Sequence, residues 1–162
     1  MFLDNHDYIL NNVFMFNWES DLFAISKSGY SVEIEVKISR SDYLADFKKR
    51  KHDLFNTPDP AVEIPNRFYF ACPEGMIKPE EVPSYAGLIW CESRYANYHV
   101  AKKAPILHRN KIDFTSRLLS KYYHTSLNTR SRINQLLYRM RQNPFCEADI
   151  EKELKLILRA LK

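Results

Sequence analysis

Glycine is scarce in this chain, with three in 162 residues. That leaves no room for the Gly-rich loops that cradle phosphates in P-loop or dinucleotide folds, and excludes those classes. Cysteine is equally sparse. Cys72, Cys91 and Cys146 are odd in number, widely spaced and without a CxxC pair. They point to reduced, partly buried thiols in a cytoplasmic protein, not to a disulfide framework. No apolar run approaches the roughly eighteen residues of a membrane helix. The opening "MFLDNHD" carries acids where a secretory leader carries Lys or Arg, so neither membrane segment nor leader is expected. The five His residues are scattered without an HxH or HxxxH pair, which argues against zinc. No nucleophile elbow is present.

What the chain does contain is a globular composition, 45% hydrophobic and 27% charged, at a length suited to one compact core. The net charge of +4 hides an asymmetry. Residues 1–100 hold 10 Lys/Arg and 15 Asp/Glu, whereas residues 101–162 hold 14 and 5. A basic block of that kind suits a polyanionic partner, nucleic acid above all.

The first part of the chain reads as strands: 11–18, 21–25 and 31–38, then "RFYFAC" (67–72), "AGLIWC" (86–91) and an edge strand at 98–102. "SRSDYLADFKKRKH" starts a helix in capping-box fashion, with Ser39 and Asp42 at its N-terminus. Tyr43, Leu44 and Phe47 form its apolar side, and Lys48 to Lys51 sit near its C-terminal dipole. Asp42 and Asp46 read as a helix-start acid and a surface acid. From about residue 111 the period is helical. Ile133, Leu136, Leu137 and Met140 repeat at helix spacing, and Ile150, Leu154, Ile157, Leu158 and Leu161 mark a last helix. The expected organisation is an α/β core over 1–110 and a basic helical extension over 111–162 packed on the same domain.

The stretch "ESDLFAISKSGYSVEIEVKI" carries the chemistry. A two-residue turn at Ser28-Gly29 would turn Asp21 toward the aliphatic face. A three-residue turn, Lys27-Ser28-Gly29, needs a left-handed third residue, which Gly29 supplies, and pairs Ser26 with Tyr30. That register sets Leu22 against Ile34 and Ala24 against Val32 on the expected core face. It also sets Asp21 opposite Glu35, with Cβ atoms roughly 4.5–5.5 Å apart. Two carboxylates so placed repel unless a cation lies between them. Oxygen ligands suit Mg²⁺ or Mn²⁺, with the Val36 carbonyl as a further donor. Lys37, on the same face as Glu35, is placed to serve an attacking water. A solvated strand face with cross-strand ion pairs is the plainer alternative, and Glu33 reads as a surface acid.

Asp21 with Glu35-Val36-Lys37 resembles the PD-(D/E)XK nuclease superfamily, the restriction-endonuclease-like fold. "EVKISRSDYLADFKKRKH", "RFYFACPEGMI" and "EEVPSYAGLIW" together resemble its MmcB-like branch of DNA-repair nucleases, over roughly residues 19–91. The resemblance implies a mixed sheet flanked by helices. It implies a Mg²⁺- or Mn²⁺-dependent deoxyribonuclease whose catalytic residues are Asp21, Glu35 and Lys37. Such nucleases usually open with a helix carrying a metal-binding Glu, and only about ten residues precede the first strand here. Either Glu19 joins Asp21 and Glu35 as the substitute, or that helix is vestigial, or the C-terminal helices cover the surface. DNA would be held by Ser39, Arg40, Lys48, Lys49, Arg50 and Lys51. Arg117, Lys121, Arg130, Arg132 and Arg139 would add contacts from the extension. A homodimer that cuts both strands is compatible with this type. A catalytically inactive DNA- or lesion-binding module on the same fold is the second reading, and a scaffold for an acidic protein partner the third.

Overall fold

A computed structural model of the chain describes residues 6–92 and 97–142, with 152 and 155; the side chains of 136, 137 and 139–142 are outside that description. The last expected helix, with Ile150, Leu154, Ile157, Leu158 and Leu161, and Cys146 lie outside the described residues. Two compact units divide at Asp113/Phe114. Among the described residues, no helix is long and apolar enough to cross a membrane.

The first unit is an α/β layer structure. Its six strands are β1 (His6–Phe14), β2 (Glu19–Ser26), β3 (Ser31–Val36), β4 (Arg67–Pro73), β5 (Ala86–Glu92) and β6 (Asn97–Lys102). They lie in that order in one mixed sheet, with β3, β4 and β5 parallel and the outer pairings antiparallel. Two short helices, α1 (Arg40–Asp46) and α2 (Lys51–Asn56), form the crossover from β3 to β4. The single helix expected after residue 39 is thus broken at residues 47–50. The Ser39 side chain caps α1 by accepting a hydrogen bond from the Asp42 amide, 3.1 Å. That satisfies one of the donors a helix start leaves open.

The β2–β3 hairpin forms on the three-residue turn. The Ser26 amide donates to the Tyr30 carbonyl at 2.9 Å, and Gly29 has φ +80°. Leu22 faces Ile34 and Ala24 faces Val32. β1 begins at His6, earlier than the strand expected over 11–18. Phe16 stacks on Trp18 at 5.3 Å, and Trp18 meets Phe55 edge-on at 5.9 Å. Residues 15–18 therefore bend into the core instead of continuing the strand.

Burial departs from expectation in one consequential way. The aliphatic face of β3, with Val32 and Ile34, joins Tyr69, Ala71, Ile89 and Ala104 in a small core. The larger core lies on the opposite face, where Tyr43 and Phe55 from the helices pack on Phe68, Phe70, Cys72 and Leu88. Glu33 pairs with Phe68 and Glu35 with Phe70 across the parallel ladder. The carboxylates therefore lie under the helices, on the aromatic side. Leu44, expected on the apolar side of α1, is 60% exposed. Where partly buried thiols were expected, Cys72 is buried and Cys91 exposed; both are free. Gly87 is the residue opposite Tyr69. A Cβ there would run into the Tyr69 ring and come within 2.6 Å of the Ala104 amide, so this position admits only glycine without repacking.

The second unit, Phe114–Lys162, contains the long helix α3, Thr115–Gln142. Its described side chains are mostly exposed, and the sequence from 115 to 142 holds six Lys/Arg and no Asp/Glu.

Candidate active site

β3 delivers Glu33 and Glu35 from alternate positions on one face, and Lys37 follows directly on the same face. The Lys37 amide donates to the Ala71 carbonyl at 2.8 Å, which extends the parallel ladder by one residue and fixes the side chain's direction. Continuing the hairpin register brings Asp21 beside Glu35. The Asp21 Oδ2 accepts a hydrogen bond from the Val36 amide at 2.8 Å, reaching across to β3 between the other two residues. Asp21, Glu35 and Lys37 are therefore together. Glu19 does not join them. It is exposed at the start of β2 and pairs with Phe14. Among the described residues, the one set of three metal-ligating side chains within 4.8 Å of each other is Glu74, Glu92 and His99, none of them among the expected residues.

The site is wider than the three expected residues. Glu33, expected at the surface, is fully buried and accepts from the Trp18 indole on both oxygens at 3.0 Å. Asp46, also expected at the surface, is 2% exposed. Lys51, expected to contact DNA, is buried. It pairs with Glu33 at 2.9 Å and with Glu35. These corrections share one cause. α1 and α2 dock on the carboxylate face, so Asp46 at the end of α1 and Lys51 at the start of α2 point into the sheet.

Glu35 is the hub. Lys51 meets one of its oxygens, and Lys37 (3.2 Å) and Lys49 (3.3 Å) meet the other. Lys37 also pairs with Asp46 at 2.8 Å, and Lys49 with Asp46 at 2.6 Å. His52 bridges Asp46 (2.8 Å, through Nε2) and the Tyr85 hydroxyl (2.8 Å, through Nδ1). Burial alone would push the Glu35 carboxyl up, but Lys51 and Lys49 hold it below its ordinary value. Burial pushes Glu33 up, and there Lys51 does not fully offset it. Asp21 is raised by burial and by the Glu35 charge, against the pull of the Val36 amide. Desolvation lowers the Lys37 ammonium, but Asp46 and Glu35 outweigh it and hold the group above its usual value.

Asp46 carries a pH signature. Burial opposes its charge, yet hydrogen bonds from His52, Lys37 and Lys49 hold its carboxyl well below the ordinary 3.8. The folded state therefore keeps this proton off where the unfolded chain takes it up. The stabilisation is present above the ordinary carboxylate range and lost as pH falls through and below it. Asp46→Asn is expected to cost stability at pH 7 and progressively less toward pH 3, read from urea unfolding at each pH. An unchanged gap across that range would mean Asp46 is not held ionised.

The remaining expected contacts divide. Ser39 is occupied as the α1 cap. Arg40 is exposed but pairs with Glu81 and donates to the Met76 carbonyl at 2.9 Å. Lys48 and Arg50 are exposed, and the Lys49 side chain is half-exposed. Arg117, Lys121, Arg130, Arg132 and Arg139 all lie on α3, with the Arg139 side chain outside the described residues. His52, Asp46 and Tyr85 had no local signal in the sequence, because 33 positions separate His52 from its Tyr85 partner.

No family model matches the chain, and no curated protein matches it. Among solved structures it is similar to a protein of unknown function from Silicibacter pomeroyi. The two are 17% identical, the match covers 78% of each chain, and the TM-score is 0.52. A likeness at that identity concerns the fold alone.

Proposed function

We propose that this chain is a divalent-metal-dependent nuclease of the restriction-endonuclease-like fold acting on DNA, with Asp21, Glu35 and Lys37 at its centre. The observation that carries this reading is the hairpin register. It brings an acid from β2 beside Glu35 and sets Lys37 on the same face, on a sheet whose next strand is parallel.

The donor set fits a hard dication. Asp21 and Glu35 offer carboxylate oxygens, the ligand type Mg²⁺ and Mn²⁺ prefer. Asp21 is raised chiefly by burial and in lesser part by the Glu35 charge, and a cation between the two carboxylates relieves that repulsion. Lys49 must release the Glu35 oxygen it shares with Lys37 for one side of that oxygen to become available to the ion. Its half-exposed side chain can do so, whereas Lys51 is enclosed. The ion, when bound, supplies Lewis-acid stabilisation of charge on the phosphate oxygens. The chain's own residues do the rest. Asp46 and Glu35 hold the Lys37 ammonium on the reacting side, where it orients water and offsets charge growing on the phosphate. The exposed cations after α1 and along α3 bind backbone phosphates without sequence preference.

One observation favours a second reading, a DNA-binding module without catalysis. Glu35 is already neutralised by three ammonium groups. Calorimetry separates the two, with Mn²⁺ titrated into wild type, Asp21→Asn and Glu35→Gln, each with and without a DNA duplex. The nuclease reading expects one site, lost in both variants. No Mn²⁺ binding in either condition would leave the binding module.

A further inference from the structure

The other face of the sheet carries a cavity that the proposed chemistry does not use. It lies beside the small core, at the end of β3 and β4 remote from Glu35, and has a volume of about 480 Å³. That is within the range of roughly 300–1,000 Å³ typical of small-molecule sites. Its floor includes Val32 and Tyr69, both nearly fully buried. Three cations line it, Arg67, Lys103 and Arg109, and no Asp or Glu does among the described residues. Ser28 and Tyr30 add hydroxyl groups at its wall.

The sequence prepares this imbalance. Residues 93–112 hold five Lys/Arg and no Asp/Glu. A stretch of that kind could simply be solvated, but here it is built into place. The side-chain amide of buried Asn66 donates to the carbonyls of His108 (3.0 Å) and Asn110 (2.8 Å), and its Oδ1 accepts from the Ser31 amide at 2.8 Å. The His108 ring bonds the Ile64 carbonyl at 2.8 Å, and the Leu107 amide donates to the Asn66 backbone carbonyl at 2.9 Å. Arg67 is itself tied to the Ala104 carbonyl. The segment bearing Lys103 and Arg109 is thus pinned across the sheet, and no ion pair neutralises either residue among the described residues. Converging cations in a concave, partly apolar site focus a positive potential and favour an anion. Two guanidinium groups with one ammonium suit a tetrahedral dianion, because the forks of Arg match phosphate oxygens.

We propose that this cavity binds a phosphate ester of mononucleotide size, with Arg67, Lys103 and Arg109 on the phosphate and Tyr30 and Tyr69 beside the organic part. A free nucleotide and the backbone of a nucleic acid offer the same group. The test distinguishes them, and it is independent of whether the Asp21–Glu35–Lys37 site cleaves anything.

The experiment is calorimetry of the full chain at low ionic strength in EDTA. Titrants are AMP, adenosine and a short oligothymidine, against wild type, the double variant Lys103→Ala/Arg109→Ala, and Lys78→Ala as a control at an exposed lysine outside the cavity lining. The expected result is one AMP site, no adenosine binding, and affinity at least about tenfold weaker in the double variant, as loss of charge-assisted hydrogen bonds implies. Lys78→Ala should bind as wild type. Oligothymidine binding lost in the double variant, with AMP inert, would support the site and assign it to nucleic-acid backbone. The proposal is overturned if wild type binds neither phosphate ester, or if the double variant binds as wild type does. As a check independent of any substitution, NMR signals of the Tyr30 and Tyr69 rings in wild type should shift with AMP; unmoved signals at saturation place the ligand elsewhere and also overturn it.

Discussion

Lys51→Met is expected to destabilise the folded chain by about 3–5 kcal/mol, the usual cost of removing one partner of a buried ion pair. Domains of this size are stable by only about 5–15 kcal/mol, so the loss is a large share of the total. The size of the effect follows from enclosure. The Lys51 side chain is 1% exposed, and its partners Glu33 and Glu35 are 0% and 2% exposed. Methionine fills much the same volume but leaves buried Glu33 without its ammonium partner, and leaves Glu35 with Lys37 and Lys49 only. Glu33, already raised by burial, would rise further. A carboxyl whose folded value lies above its unfolded one favours the folded state when protonated, so the variant's deficit should shrink as pH falls toward the ordinary 4.5. Urea unfolding at pH 7 and pH 5 reads both. Adding Glu33→Gln to Lys51→Met should recover part of the loss by removing one uncompensated charge. A single variant as stable as wild type at pH 7 would show that Lys51 does not hold this network together.

On the proposed reaction, Lys37→Ala should lower kcat for DNA cleavage by about 10²–10⁴-fold, the range for a general acid–base group. KM should move little, because the cations proposed to hold the backbone are elsewhere. Lys37 also compensates Glu35 and Asp46, so its removal weakens the fold as well. Rates must therefore be compared at a temperature where circular dichroism shows both proteins folded. Lys37→Ala, Asp46→Ala and the double substitution then form a cycle. If Asp46 acts by positioning Lys37, the double variant is no slower than Lys37→Ala alone. An equal fall in cleavage and in DNA binding for Lys37→Ala would remove its catalytic role and leave it as a structural cation.

The two expectations meet at Glu35. Three ammonium groups surround it, and they differ in what can move. Lys51 is enclosed by the helices, Lys37 is held by Asp46, and Lys49 is half-exposed. Metal binding and DNA binding would both draw on Lys49, which suggests that the site is completed only when a phosphate is present to take up that charge. Calorimetry with and without duplex therefore bears on the architecture as well as on the activity.

The sequence by itself determined the hairpin and what it brings together. Gly29 is the residue that tolerates a left-handed φ at the third position of the turn, and the period of two along β2 and β3 admits one register that pairs Leu22 with Ile34. Those are local constraints, within reach of a few residues, and they suffice to put Asp21 beside Glu35 and Lys37. The tertiary structure alone decided which face of β3 the helices cover. After Arg67 the run "FYFAC" carries aromatic or other apolar-bodied side chains on both faces and gives no hint of which side Phe68 and Phe70 take. Once α1 and α2 pack on that side, Glu33, Asp46 and Lys51 go from apparent surface residues to a buried network that His52 joins. Such burial depends on contacts across tens of residues, between groups that carry no mark of it in their own neighbourhoods. The cavity on the far face has the same origin, because Arg67 and Arg109 meet only through the buried bonds of Asn66.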